Sequence, residues 1–88
     1  MKIVFDPDKS EKNRVQRGLP FDCVVDFEWD GAVIWPDNRH DYGEERSCAI
    51  GYIGQRLHHL AFTLRGETIR VISLRKANSR EVARYAET

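Results

Sequence analysis

The stretch from Glu44 to Leu74 reads as three apolar-rich strands separated by two turns too short for anything but hairpins. Gly54-Gln55-Arg56 and Arg65-Gly66-Glu67 each place a glycine inside a tight reversal, where positive φ is needed. Strands Glu44–Ile53, Leu57–Leu64 and Thr68–Leu74 are therefore expected to pair antiparallel. A shorter buried strand, Ala32 to Trp35, precedes them and leads into the loop from Pro36 to Gly43, which includes His40.

Helical signals flank this β region. Lys2 to Phe5 reads as a short strand, after which Asp6-Pro7 opens a helix: Asp6 can cap free N–H groups, and proline is tolerated at the first helical position. Gly18 supplies the left-handed stop. Val15 is nearly the only apolar residue between, so this helix is expected at the periphery. A second, core-facing helix is expected after Pro20, with Phe21, Val24, Val25, Phe27 and Trp29 on its apolar side. Asn78 or Ser79 can cap a C-terminal helix turning Val82, Ala83 and Tyr85 inward. The expected fold is α+β in a single domain over residues 1–88: a four-stranded antiparallel sheet plus a short N-terminal strand, two N-terminal helices and a C-terminal helix.

With 41% apolar and 32% charged residues, the chain reads as globular rather than disordered. No apolar run is long enough to span a bilayer, and Asp6 interrupts any leader-like stretch, so a cytoplasmic protein without membrane contact is expected. Cys23 and Cys48 are unpatterned, as expected of buried small hydrophobes in a reducing compartment rather than a disulfide. The net charge is zero but unevenly spread. Residues 1–45 hold six Lys/Arg against eleven Asp/Glu (net −5), and residues 46–88 hold eight against three (net +5). That asymmetry points to a basic face and an acidic face.

Three arginines at strand ends, Arg46, Arg70 and Arg75, are the chemical candidates. Alternation places Glu44 and Arg46 on one face of their strand, Arg70 with Ile72 and Leu74, and Arg75 with Val71 and Ser73. Arg70 inside so apolar a run either reaches the strand's wet end and pairs with Glu44 or Glu45, or awaits a phosphate, which arginine grips as a fork. His58-His59 point to opposite faces with no cysteine or carboxylate at ligand spacing, which disfavours a metal site and leaves them as surface or edge histidines. Arg39, in a turn-rich loop, reads as a surface residue. Gly-rich phosphate loops, nucleophile elbows and zinc motifs are absent from the sequence.

Phe5-Asp6-Pro7 with Lys9 and Asn13, then Gly18 and Phe21, Gly43-Glu44-Glu45-Arg46, Phe62-Thr63, the block Arg70 to Ala77, and Glu81 with Tyr85 form an ordered set. On these residues the chain resembles the BrnT family of type II toxins, relatives of the RelE-type ribonuclease fold. The resemblance implies RNA cleavage without metal or cofactor and inhibition by a ribbon-helix-helix antitoxin of the BrnA kind. It further implies DNA contact only through that antitoxin, and a homodimer within the toxin–antitoxin complex. One departure is local. Where such toxins commonly carry Lys-His before the glycine after the first helix, this chain has Gln16-Arg17.

Metal-independent cleavage needs a base near the RNA 2′-hydroxyl, a proton donor near the leaving oxygen and cations around the phosphate. The expected roles are a phosphate clamp from Arg70 and Arg75, a third cation from Arg46, and Glu44 as base or arginine-orienting group. Tyr85 is expected to stack on a base or donate a proton, and Arg17, Lys76 and Arg80 to contact RNA. A non-catalytic module that still binds an antitoxin-type partner is the alternative, favoured by the Gln16-Arg17 change and the neutral net charge.

Overall fold

The computed structural model describes residues 2–39 and 43–88. His40, Asp41 and Tyr42 of the predicted loop lie outside the described residues. The elements in chain order are strand β1 (Lys2–Val4), helix α1 (Pro7–Arg17), a 3-10 helix (Phe21–Asp26), strands β2 (Val33–Pro36), β3 (Ser47–Ile53), β4 (Arg56–Arg65) and β5 (Thr68–Lys76), and helix α2 (Ser79–Ala86).

Both hairpins form as their glycines require. Ile53 pairs with Arg56 and Arg65 with Thr68, leaving two-residue turns. Only the first residue of each turn has positive φ, Gly54 at 63° and Gly66 at 59°, the pattern of a type II′ reversal. The sheet runs β1-β5-β4-β3-β2, so β4 is its central strand. Strands β2 to β5 pair antiparallel, while β1 joins β5 in parallel, making the sheet five-stranded and mixed rather than four-stranded and antiparallel.

Helix α1 is capped by Asp6, whose side chain accepts from the Asp8 N–H, and ends at Gly18 with φ of 70°. It docks through polar atoms. Asn13 Nδ2 donates to the Leu19 carbonyl at 2.7 Å and the Leu74 carbonyl at 2.9 Å, and Ser10 Oγ accepts from the Phe21 N–H at 2.9 Å. Beyond the end of β1, the outer edge of β5 would expose unpaired backbone, and Asn13 fills part of that gap. Val15 lies in solvent.

The predicted second helix is the largest correction. Helical structure covers only Phe21–Asp26, as a 3-10 turn; Phe27 has extended dihedrals. The reason is packing: Phe27 and Trp29 both turn toward the sheet and meet edge-on at 4.7 Å between centroids, while the intervening Glu28 N–H donates to the Tyr52 carbonyl. That period-two arrangement is incompatible with a continuing helix. Phe21, Val24 and Phe27 close the main core over Ala49, Leu60, Phe62, Ile69, Val71 and Leu74. On the opposite face, Ile50, Leu57 and Ala77 pack with Trp35, Tyr52 and Tyr85, seating α2.

A β-bulge interrupts the β4–β5 ladder. Phe62 pairs with Val71 and Ala61 with Ser73, leaving Ile72 as the extra residue. Strict alternation would separate Arg70 and Arg75 to opposite faces. With the bulge, Arg70 stands opposite Thr63 and Arg75 opposite His59, four positions apart on β4 and hence on one face, roughly 13 Å apart along the strand.

Candidate functional site

On the α2 face, an open cavity of about 450 Å³ lies between the end of β2, the start of β3, the His59 position of β4, the end of β5 and the first turn of α2. Its chemistry centres on Arg75 and Glu81. The guanidinium donates from Nη1 to Glu81 Oε1 at 2.7 Å and from Nη2 to Glu81 Oε2 at 2.9 Å, a two-pronged fork. The same carboxylate accepts from the Asn78 N–H at 2.9 Å, while Asn78 Oδ1 accepts from the Glu81 N–H, forming a capping box. The start of α2 therefore aims the side chain at the end of β5.

His59, across the ladder from Arg75, borders the same cavity. Its Nε2 lies 3.8 Å from Glu81 Oε2, and Trp35 meets its ring edge-on at 5.8 Å between centroids. Its buried Nδ1 has no hydrogen-bond partner among the described residues. Burial, then the positive charge of Arg75, lowers its pKa. The Arg84 guanidinium covers Trp35 at 4.3 Å from the ring centroid. At the rim, buried Asp37 receives Arg39 through Nε at 2.8 Å and Nη2 at 3.0 Å. Arg39, its side chain 72% exposed, is a surface residue as expected, and it also forms part of the cavity wall. Cys48 also borders the cavity, with its thiol pKa pushed up by burial and by Asp37. Both cysteines are free.

The other sequence candidates are distributed around this centre. Glu44 and Arg46 precede β3 rather than lying in it; Glu44 Oε1 is 3.8 Å from Arg46 Nε, and its Oε2 accepts from Arg65 Nη2 at 3.3 Å. Arg70 is exposed and makes no ion pair among the described residues, so it does not pair with Glu44 or Glu45. Tyr85 meets Tyr52 edge-on at 5.7 Å and belongs to the packing that seats α2. Arg17 donates to Asn13 Oδ1 at 2.9 Å and borders a separate depression with Lys9, Lys12 and Ser73. Lys76 and Arg80 are exposed at the end of β5 and in the first turn of α2.

The histidine pair is a further correction. Both residues lie on the central strand, where neighbours cover them from each side; His58 is 3% exposed, with Nδ1 2.8 Å from the Arg56 carbonyl oxygen. Sequence reasoning also missed Glu81, Asp37 and Trp35 as site residues. The signal for Glu81 was present: Asn-x-x-Glu just after a strand ending in Arg75 places a carboxylate in the first helical turn beside that arginine. Among the described residues there is no cluster of three or more His, Cys, Asp or Glu able to hold a metal ion, and no helix is long and apolar enough to cross a membrane.

Acid stability reports directly on the Arg75–Glu81 pair. Fork hydrogen bonds from Arg75, reinforced by the Asn78 N–H, lower the Glu81 pKa from 4.5 to about 2. Its stabilising contribution is complete above the unfolded value and disappears as pH falls from 4.5 toward 2. Discounted for solvent at Arg75, the loss between pH 5 and pH 3 is about 1–2 kcal/mol. Glu81→Gln should melt lower than wild type at pH 7, and the gap should narrow below pH 4.5 and close only as pH falls through about 2. An equal gap at both pH values would show that the pair does not titrate this way.

A family model described as ribonuclease toxin, BrnT, of type II toxin-antitoxin system matches residues 5–81. No curated protein and no solved structure gives a significant match. The matched segment takes in β2 to β5, α1 and the first turn of α2, and so includes Arg75, His59 and Glu81. The chain belongs to the BrnT family of ribonuclease toxins of type II toxin–antitoxin systems.

Proposed function

We propose that this chain is a metal-independent endoribonuclease in which the RNA 2′-hydroxyl attacks the adjacent 3′-phosphate, leaving a cyclic phosphate end. The observation that carries this reading is the presentation of Arg75 at an open cavity with Arg70 on the same sheet face. Of the five guanidinium N–H groups of Arg75, two go to Glu81 and a third to the Lys76 carbonyl at 3.4 Å, which among the described residues leaves two for a phosphate. Arg70 takes a neighbouring phosphate, and Arg46 adds positive charge. Glu44, held between Arg46 and Arg65, orients arginine rather than acting as a base. Tyr85 seats α2 and with it Glu81, while Arg17, Lys76 and Arg80 extend the cationic surface along which RNA lies. The fold is RelE-like. The partner is a ribbon-helix-helix antitoxin, which carries the DNA contact, and the toxin is a homodimer in that complex, in the cytoplasm.

One observation favours the second reading, a non-catalytic module that binds an antitoxin-type partner: the Arg75 fork is already engaged by Glu81, so the pair also serves to fasten α2. Induced expression separates the two. Growth should stop when this chain is made alone and resume when the antitoxin from the neighbouring reading frame is supplied. Normal growth with soluble protein present would favour the non-catalytic module.

A further inference from the structure

We propose that His59 is a catalytic residue, the base that takes the proton from the attacking 2′-hydroxyl. This rests on the ribonuclease reading and adds the group which that reading leaves unassigned. Four observations place it there. His59 borders the cavity that presents Arg75 and is the cross-strand neighbour of that arginine, so a phosphate held by Arg75 brings its ribose within reach of the imidazole. Trp35 fixes the ring from one side. Nδ1 is buried without a partner among the described residues, so Nε2 is the nitrogen that meets the substrate, and at 3.8 Å from Glu81 Oε2 it is beyond hydrogen-bond reach and uncommitted. An imidazole nitrogen left unpaired beside that arginine is placed for proton transfer.

Among the described residues, the groups facing the ring are Arg75 from β5, Glu81 from α2, Asp37 and Arg39 from the chain after β2, and the neutral Cys48 thiol from β3. Burial, Arg75 and Arg39 outweigh the two carboxylates and keep the imidazole neutral at neutral pH, the form a base requires. In the reaction the 2′-oxygen bonds to phosphorus, its proton passes to His59, and the bond from phosphorus to the 5′-oxygen breaks. The departing oxygen takes a proton from solvent and His59 then releases its own, so protons balance and no other reactant is needed. Arg75 stabilises the charge gathering on the phosphate, and Glu81 acts as a positioning residue through Arg75.

The test is single-turnover cleavage of a short RNA by the full chain, as wild type, His59→Gln and His59→Asn, across pH, with RNA binding and melting measured alongside. The wild-type rate should rise with pH and level off below pH 6.5, the unperturbed histidine value. Both variants should lose about 10²–10⁴-fold in rate and lose that acid limb, with RNA affinity retained. A merely structural histidine would not remove the limb. A variant that cleaves at the wild-type rate, or keeps the limb, overturns the assignment while the ribonuclease reading stands. If neither variant folds, the wild-type profile decides: a rate independent of pH between 4 and 8 overturns it. Wild-type protein that binds RNA without cutting it overturns the ribonuclease reading and this assignment together.

Discussion

Arg75→Ala should lower the rate of RNA cleavage by about 10²–10³-fold, the scale at which single donors to a developing oxyanion act. Removing the fork also leaves Glu81, 15% exposed, without its cation, so the protein should lose about 1–3 kcal/mol of stability as well. Arg75→Lys separates the two effects. Lysine keeps the charge beside Glu81 but cannot present two parallel donors, so stability should be restored more fully than rate. Arg39 is unsuitable as the control because it forms the wall of the same cavity with Asp37. Arg14, paired with Glu11 on the solvent side of α1, is the appropriate one, and Arg14→Ala should cleave normally. A folded Arg75→Ala protein with wild-type activity would remove the proposed phosphate clamp.

Gly51→Ala should be the most destabilising small substitution in the sheet. A Cβ built there stands 2.6 Å from Phe27 Cζ and 3.1 Å from both ring Cε atoms. Phe27 is 4% exposed and wedged against Trp29, so its ring cannot retreat without opening the core. Overpacking of this kind costs about 1–3 kcal/mol, or roughly 5–20 °C in Tm for a domain this size. Pairing Gly51→Ala with Phe27→Leu should cost less than the sum of the two single changes, since the smaller side chain relieves the contact. Unchanged melting of Gly51→Ala would show that the ring relocates freely.

Features coded by a few adjacent residues were legible in the sequence: Gly54 and Gly66 set the hairpins, Asp6-Pro7 and Gly18 bound α1, and Asn78 caps α2. What failed depended on distant partners. The run after Pro20 has helical apolar spacing, but Phe27, Trp29 and the sheet floor at Gly51 draw it out of helix. β1 is too short to declare its partner, and only pairing with β5 makes it parallel. The bulge at Ile72 is invisible in an apolar run, yet it decides that Arg70 and Arg75 share a face. Within the site, Arg70 was legible as a charge inside an apolar run, and Arg75 as the arginine at the end of the same strand. His59 was read as an edge residue because the sequence does not say that β4 is central.

The central claim, RNA cleavage by 2′-hydroxyl attack without a metal, is tested most directly by the ends of the products. Purified chain, freed of any antitoxin and incubated with RNA in excess chelator, should yield fragments carrying 2′,3′-cyclic phosphates and 5′-hydroxyls. Cleavage that stops with chelator, or that leaves 3′-hydroxyls and 5′-phosphates, would contradict it.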